Sequence, residues 1–207
     1  MKSPSTQSGF SLVETLVAIT ILLLIITGPI AISSQSAKSS SFSSEQVTAF
    51  FLAQEGVELA QKARDDLLVR SFLAADGSPE KTPWANFSNP VGAYRNCYTV
   101  IGNSTIERCG LSIKSSDGSF NLSDIDVTNC SDIASCKLYR TGSNQRSRFT
   151  HTSSGGEETK FIRHITFERV NADEIKVIST VLWRSGSIQE DQSVVVESRL
   201  FNIYGDN

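Results

Sequence analysis

GFSLVETLVAITILLLIITGPI, Gly9 to Ile30, is an apolar run long enough to cross a bilayer, and it carries a glutamate, Glu14, near its start. From Phe10 to Ile32 only Glu14 and a few serines and threonines interrupt the apolar residues. As a helix, residues 10–32 at about 1.5 Å each reach roughly 35 Å, enough for a hydrocarbon core. A lone carboxylate there costs roughly 2.5–3.5 kcal/mol on insertion scales. Glu14 therefore reads first as a functional residue. A removable secretory signal needs a basic start, a shorter apolar core and a small-residue cleavage site behind it. The leader here, MKSPSTQSG, is short and polar with one lysine, and no A-x-A site follows the run. A cut after Gly9 makes Phe10 the N-terminus and puts Glu14 one helical turn from a free amine. In a helical array, the carboxylate of one subunit then reaches the amine of its neighbour. Two charges that are each unfavourable in lipid become a pair that also sets register.

At these residues, Gly9-Phe10-Ser11-Leu12-Val13-Glu14, the chain resembles the class III signal of type IV pilins and type II secretion pseudopilins. The resemblance implies that a prepilin peptidase cuts after Gly9 and methylates Phe10, and that Glu14 serves subunit assembly. It implies as partners other pilin or pseudopilin subunits, the prepilin peptidase, an inner-membrane assembly platform and membrane lipid. It places the chain in the inner (cytoplasmic) membrane as a single-pass protein with an exported C-terminal domain, and later in a filament at the cell surface. Gly28-Pro29 predicts a helix break, because proline removes a backbone donor and clashes with the preceding turn. Subunits of this family commonly carry such breakers near this depth, although the same pair also suits the plain end of a membrane helix.

Beyond the run, Ser33 to Ser44 is serine-rich and reads either as a flexible linker or as a weakly helical continuation. Residues 45–73 then show apolar residues at Phe50, Ala53, Val57, Ala60 and Leu67, with Phe51, Leu59 and Leu68 widening the stripe. That spacing predicts an amphipathic helix. Its AQEGVELAQKARDD segment most resembles V-type minor pilins and I-type minor pseudopilins. Residues 75–159 read as loops with short strands. A hairpin of Cys97–Ile101 with Leu111–Ile113 around Gly102-Asn103 is expected, as is a strand over 136–141, with an exposed polar stretch over 143–156.

The end of the chain alternates clearly. Strands are predicted over 160–170, 174–184 and 193–204, with a turn at Asn171-Ala172-Asp173 and another beginning at Ser185-Gly186-Ser187. Ile175, Val177, Val181 and Trp183 fall on one face of the middle strand. Three such strands make an antiparallel meander whose apolar face packs on the amphipathic helix, an α+β fold. The pilin resemblance implies the same arrangement, a long N-terminal helix on a C-terminal antiparallel sheet. The expected divisions are a leader (1–9), a transmembrane assembly helix (10–32), a stalk with the amphipathic helix (33–73) and a globular exported domain (74–207) with an irregular middle (74–159) and the meander (160–204).

Composition narrows the function. The chain has 207 residues, a net charge of −3 and two histidines, His151 and His164. No basic block indicates nucleic acid. The histidines are not arranged with cysteines, and Asp117, Asp124 and Asp126 match no EF-hand spacing, so no metal or cofactor is expected. There is no G-x-S-x-G, Walker loop or H-E-x-x-H, so an enzyme is not expected. The four cysteines, Cys97, Cys109, Cys130 and Cys136, suggest two disulfides in an oxidising compartment. Three connectivities are open, the spacings favour Cys97–Cys109 and Cys130–Cys136, and four buried thiols are the alternative. The long irregular middle argues for a minor subunit, since a major one must pack in very many copies. The rival reading is a single-pass membrane-anchored adhesin or binding protein that never assembles.

Overall fold

The computed structural model describes residues 9, 11–73, 82–90, 92–98, 107–114, 125–130, 132–142, 147–186 and 190–203. The chain divides into two units, Met1–Ser44 and Glu45–Asn207. One helix, α1 (Leu12–Leu73), contributes to both.

In the first unit α1 is exposed at every described residue except the half-buried Phe42. The helix break expected at Gly28-Pro29 is absent, since helix continues through both residues. Proline takes away only the bond to the Ile25 carbonyl. The bonds on either side survive, whereas melting a turn would free several more backbone groups with nothing to receive them. The serine-rich stretch is helical as well. Ser43 donates to the Ser39 carbonyl at 2.9 Å, which occupies a hydroxyl that would otherwise compete with the helix.

In the second unit, the buried face of α1 runs through Ala49, Leu52, Ala53, Gly56, Val57, Ala60 and Ala63. Phe50 and Phe51, expected in the apolar stripe, instead stand 48% and 63% exposed. The buried line is one of small residues because the helix lies close on the sheet. A Cβ built on Gly56 would fall 2.3 Å from Ser179 Oγ, so this position has no room for a side chain.

Seven strands form one sheet among the described residues. They are β1 (Cys109–Ile113), β2 (Ile125–Asn129), β3 (Lys137–Thr141), β4 (Arg148–Thr150), β5 (Glu157–Asn171), β6 (Glu174–Trp183) and β7 (Gln192–Phe201). β5 is the axis. Its one edge pairs with β6, while its other edge pairs with β3 and, at Ile165, with β1. β1 also pairs with β2, β3 with β4, and β6 with β7, all antiparallel. The meander β5-β6-β7 is the one the alternation predicts, and Ile175, Val177, Val181 and Trp183 are all buried. Asp173 N–H donates to Asn171 Oδ1 at 2.9 Å and closes the first turn.

The middle departs from expectation. Leu111–Ile113 belong to β1, which pairs with β2 and β5. Cys97 ends a 3-10 turn (Arg95–Cys97), so it begins no hairpin strand. Residues 99–106, including Gly102-Asn103, lie outside the described residues, as do Asp117 and Asp124. A short helix, α2 (Pro83–Ser88), carries Trp84 and Phe87 into the core. Trp84 Nε1 donates to the Ala172 carbonyl at 2.7 Å and Tyr98 OH to the Phe87 carbonyl at 2.7 Å, so both aromatics bury their rings with their polar tips satisfied. His151, in the stretch expected to be exposed, is 7% exposed, with its ring against the Cα of Gly110.

Both cysteine pairs are local. Cys97 bonds Cys109 with Cα atoms 4.7 Å apart, tying the 3-10 turn to β1. Cys130 bonds Cys136 with Cα atoms 5.3 Å apart, tying the end of β2 to the start of β3.

Candidate functional site

The candidate site is the beginning of α1. Gly9 is exposed, and a Cβ built on it would meet nothing within 4 Å. Helix starts at Leu12, with Thr15 N–H on the Ser11 carbonyl at 3.2 Å. Glu14 lies in the first turn. A negative charge there faces the unsatisfied N–H groups of the helix start, a favourable place for a carboxylate. Its side chain is exposed, and no ion pair to it occurs among the described residues. Phe10, the expected methylation site and source of the amine, lies outside the described residues.

Behind Glu14 the helix is long and apolar enough to cross a membrane. Its hydroxyls are internally satisfied. Thr15 donates to the Leu12 carbonyl at 2.8 Å, Thr20 to Leu16 at 2.8 Å and Thr27 to Leu24 at 3.2 Å. With these groups bonded to their own helix, Glu14 is the one described group from Leu12 to Ile32 that brings an unbalanced charge into the apolar surface.

Residues 4–28 match the family model for the prokaryotic N-terminal methylation motif. These residues therefore carry a type IV pilin-like N-terminal signal. The match contains Gly9, Phe10, Glu14 and Gly28 and stops one residue before Pro29. No curated protein and no solved structure is significantly similar to this chain. The architecture of the remainder of the chain therefore rests on its own structure, a long helix packed over its second part on an antiparallel sheet.

That packing is held by a side chain that is not among the site residues expected from the sequence. Arg163, on β5, is completely buried. Its Nη1 donates to the Leu52 carbonyl at 3.0 Å and to Glu55 Oε2 at 2.8 Å, both on α1. Its Nη2 donates to the Leu111 carbonyl on β1 at 2.9 Å. One guanidinium thus joins helix, central strand and neighbouring strand. Burial pulls its pKa down and Glu55 opposes that shift. His151 lies in the same layer, where burial and then the charge of Arg163 lower its pKa to about 3. The signal in the sequence is parity. Phe161, Arg163, Ile165 and Phe167 alternate onto the core face of β5, which places an arginine among core positions. At the lower edge of the helix, Lys160 pairs with Glu45 and adds a second link from β5 to α1.

Proposed function

We propose that this pilin-like chain is a minor pilin or pseudopilin. In this reading it is a non-enzymatic structural subunit, processed by prepilin peptidase and assembled into, or priming the tip of, a type IV pilus or type II secretion pseudopilus. The peptidase cuts between Gly9 and Phe10 and the new Phe10 amine is methylated. The observation that carries the reading is Glu14, a carboxylate in the first turn of an exposed helix otherwise apolar enough to span a membrane, within a matched methylation motif. Glu14 pairs with the Phe10 amine of an adjacent subunit, since in hydrocarbon each charge is stable only beside the other. The minor role is inferred from the length of chain between α1 and β5, residues 74–156, which is bulky for a subunit that must pack in very many copies.

Mass spectrometry of the membrane-extracted chain tests processing, with residues 1–9 absent and Phe10 N-methylated as the expected result. An intact Met1 or cleavage beyond Ile32 overturns it. Assembly is read from the ratio of sheared-filament to membrane protein. Glu14→Leu should be cut normally and fall at least tenfold in that ratio, and Glu14→Asp should fall between. A plain membrane-anchored adhesin would tolerate Glu14→Leu without change.

A further inference from the structure

A cleft opens beside the last turns of α1, wholly within the unit Glu45–Asn207. Its volume is about 350 Å³, at the small end of the range for ligand pockets. Asp66, Leu67 and Arg70 line it from the helix and Val127 from β2. Tyr94 reaches it from just before the 3-10 turn, and Lys114 from just after β1.

The charges of this cleft do not balance. Both oxygens of the buried Asp66 already accept bonds from Lys62, at 2.9 and 2.7 Å. The half-buried Arg70 and the exposed Lys114 make no ion pair or side-chain hydrogen bond among the described residues. Asp126, beside Val127 in sequence, alternates to the other face of β2. Two cations therefore share a cleft in which the one acid is already paired.

Tyr94 adds a third donor. It is 8% exposed, and its ring is held against Phe87 and Phe167, with centroids 5.4 and 6.4 Å away. Its hydroxyl has no hydrogen-bond partner among the described residues. Burial, then the charge of Asp66, raise its pKa to about 12 against the opposing charge of Arg70, so the hydroxyl keeps its proton. The packed ring fixes where that proton is offered.

We propose that this cleft binds a small organic monocarboxylate, its carboxylate on Arg70, Lys114 and the Tyr94 hydroxyl and its apolar body against Leu67 and Val127. The donor set selects the class. An arginine fork matches a carboxylate with two parallel bonds, and the ammonium and phenol add donors to the same anion. Asp66 disfavours a dianion such as inorganic phosphate, because Lys62 offsets its charge only once. The apolar wall gives a wholly ionic ligand nothing in exchange for the water it sheds, whereas a short hydrocarbon body gains by burial there. The small volume suits a free acid better than the end of a peptide chain. The cleft stands apart from the function proposed above, and its test involves neither processing nor a filament.

The probe is 4-methylpentanoate, titrated calorimetrically into the full chain in a non-ionic detergent. Its amide, 4-methylpentanamide, is the neutral isostere that enters micelles in the same way. Saturable binding of the acid and none of the amide is expected. Arg70→Gln and Lys114→Gln should each weaken binding roughly tenfold, and Tyr94→Phe about threefold. Unchanged melting temperatures in the first two variants show that the fold is kept. Inorganic phosphate at equal concentration should not displace the acid. No saturable binding up to about 10 mM, equal binding of the amide, indifference to both Arg70→Gln and Lys114→Gln, or equal competition by phosphate overturns the proposal. If N-acetyl-leucine, which mimics a peptide C-terminus, binds more than about tenfold tighter than 4-methylpentanoate, the assignment to a free acid fails.

Discussion

Gly56→Ala is an informative perturbation of this fold, because two principles give it opposite signs. On an isolated helix, alanine is better than glycine by about 1 kcal/mol. Here the new Cβ would lie 2.3 Å from Ser179 Oγ, and 3.2 Å from both Ser179 Cβ and Arg163 Cδ. Ser179 is fully buried on β6 and has little freedom to rotate away, so α1 must lift or β6 must yield. Overpacking of this kind costs about 1–3 kcal/mol. The steric term wins because the closest approach is to an atom held in the sheet, and Gly56→Ala should destabilise by about 1–2 kcal/mol, or roughly 2–8 °C for a unit of this size. Ser179→Ala removes the offending oxygen, which has no hydrogen-bond partner among the described residues. Alone it should be close to neutral. In combination it leaves contacts of 3.2 Å that a shift of a few tenths of an ångström relieves, so the double variant should melt within about 1–2 °C of the wild type. Thermal unfolding of the detergent-solubilised chain, followed by the fluorescence of buried Trp84 and Trp183, measures all four corners of the cycle. A stabilising Gly56→Ala, or a destabilisation that Ser179→Ala leaves unchanged, would show that the helix does not rest on β6 at this point.

Other perturbations probe the same frame. Arg163→Met deletes three hydrogen bonds that join α1 and β1 to β5, so a loss of about 1–3 kcal/mol is expected by chemical denaturation. Replacing Glu55 by Gln keeps an acceptor for Nη1 but leaves the fully buried guanidinium without its counter-charge, so a loss at least as large is expected. For pH, His151 is held neutral in the fold with its pKa lowered to about 3. Its contribution is therefore complete above the unfolded value near 6.5 and is lost as pH falls from about 6.5 toward 3. By pH 5 the loss should be about 2 kcal/mol, and in His151→Leu the fall in melting temperature between pH 7 and pH 5 should shrink correspondingly. Reduction of the disulfides should destabilise by about 2–3 kcal/mol for each small loop opened, and non-reducing peptide mapping should recover Cys97 with Cys109 and Cys130 with Cys136. Crossed pairs in that map would contradict the structure.

The sequence by itself determined the ends of this protein. An apolar run with a single carboxylate five residues after a glycine is a local pattern, complete within residues 9–32, and the methylation-motif match falls on it. The meander was equally legible. Strand alternation is set by the pleat, and Ile175, Val177, Val181 and Trp183 went to the face their parity dictates. What only the tertiary structure decided depends on how elements approach one another. Phe50 and Phe51 fit a helical stripe by spacing, yet the sheet lies so close that Gly56 and alanines occupy the contact and both phenylalanines stay outside. Arg163 and His151 entered the core because Leu52, Glu55 and Leu111, distant in sequence, surround the guanidinium and Gly110 leaves space for the imidazole. β1 found a partner in β5 across a long interval of chain, where no short-range turn signal announces the pairing. Periodicity reports which face of an element is apolar, whereas the distance between two faces is fixed by what both of them carry.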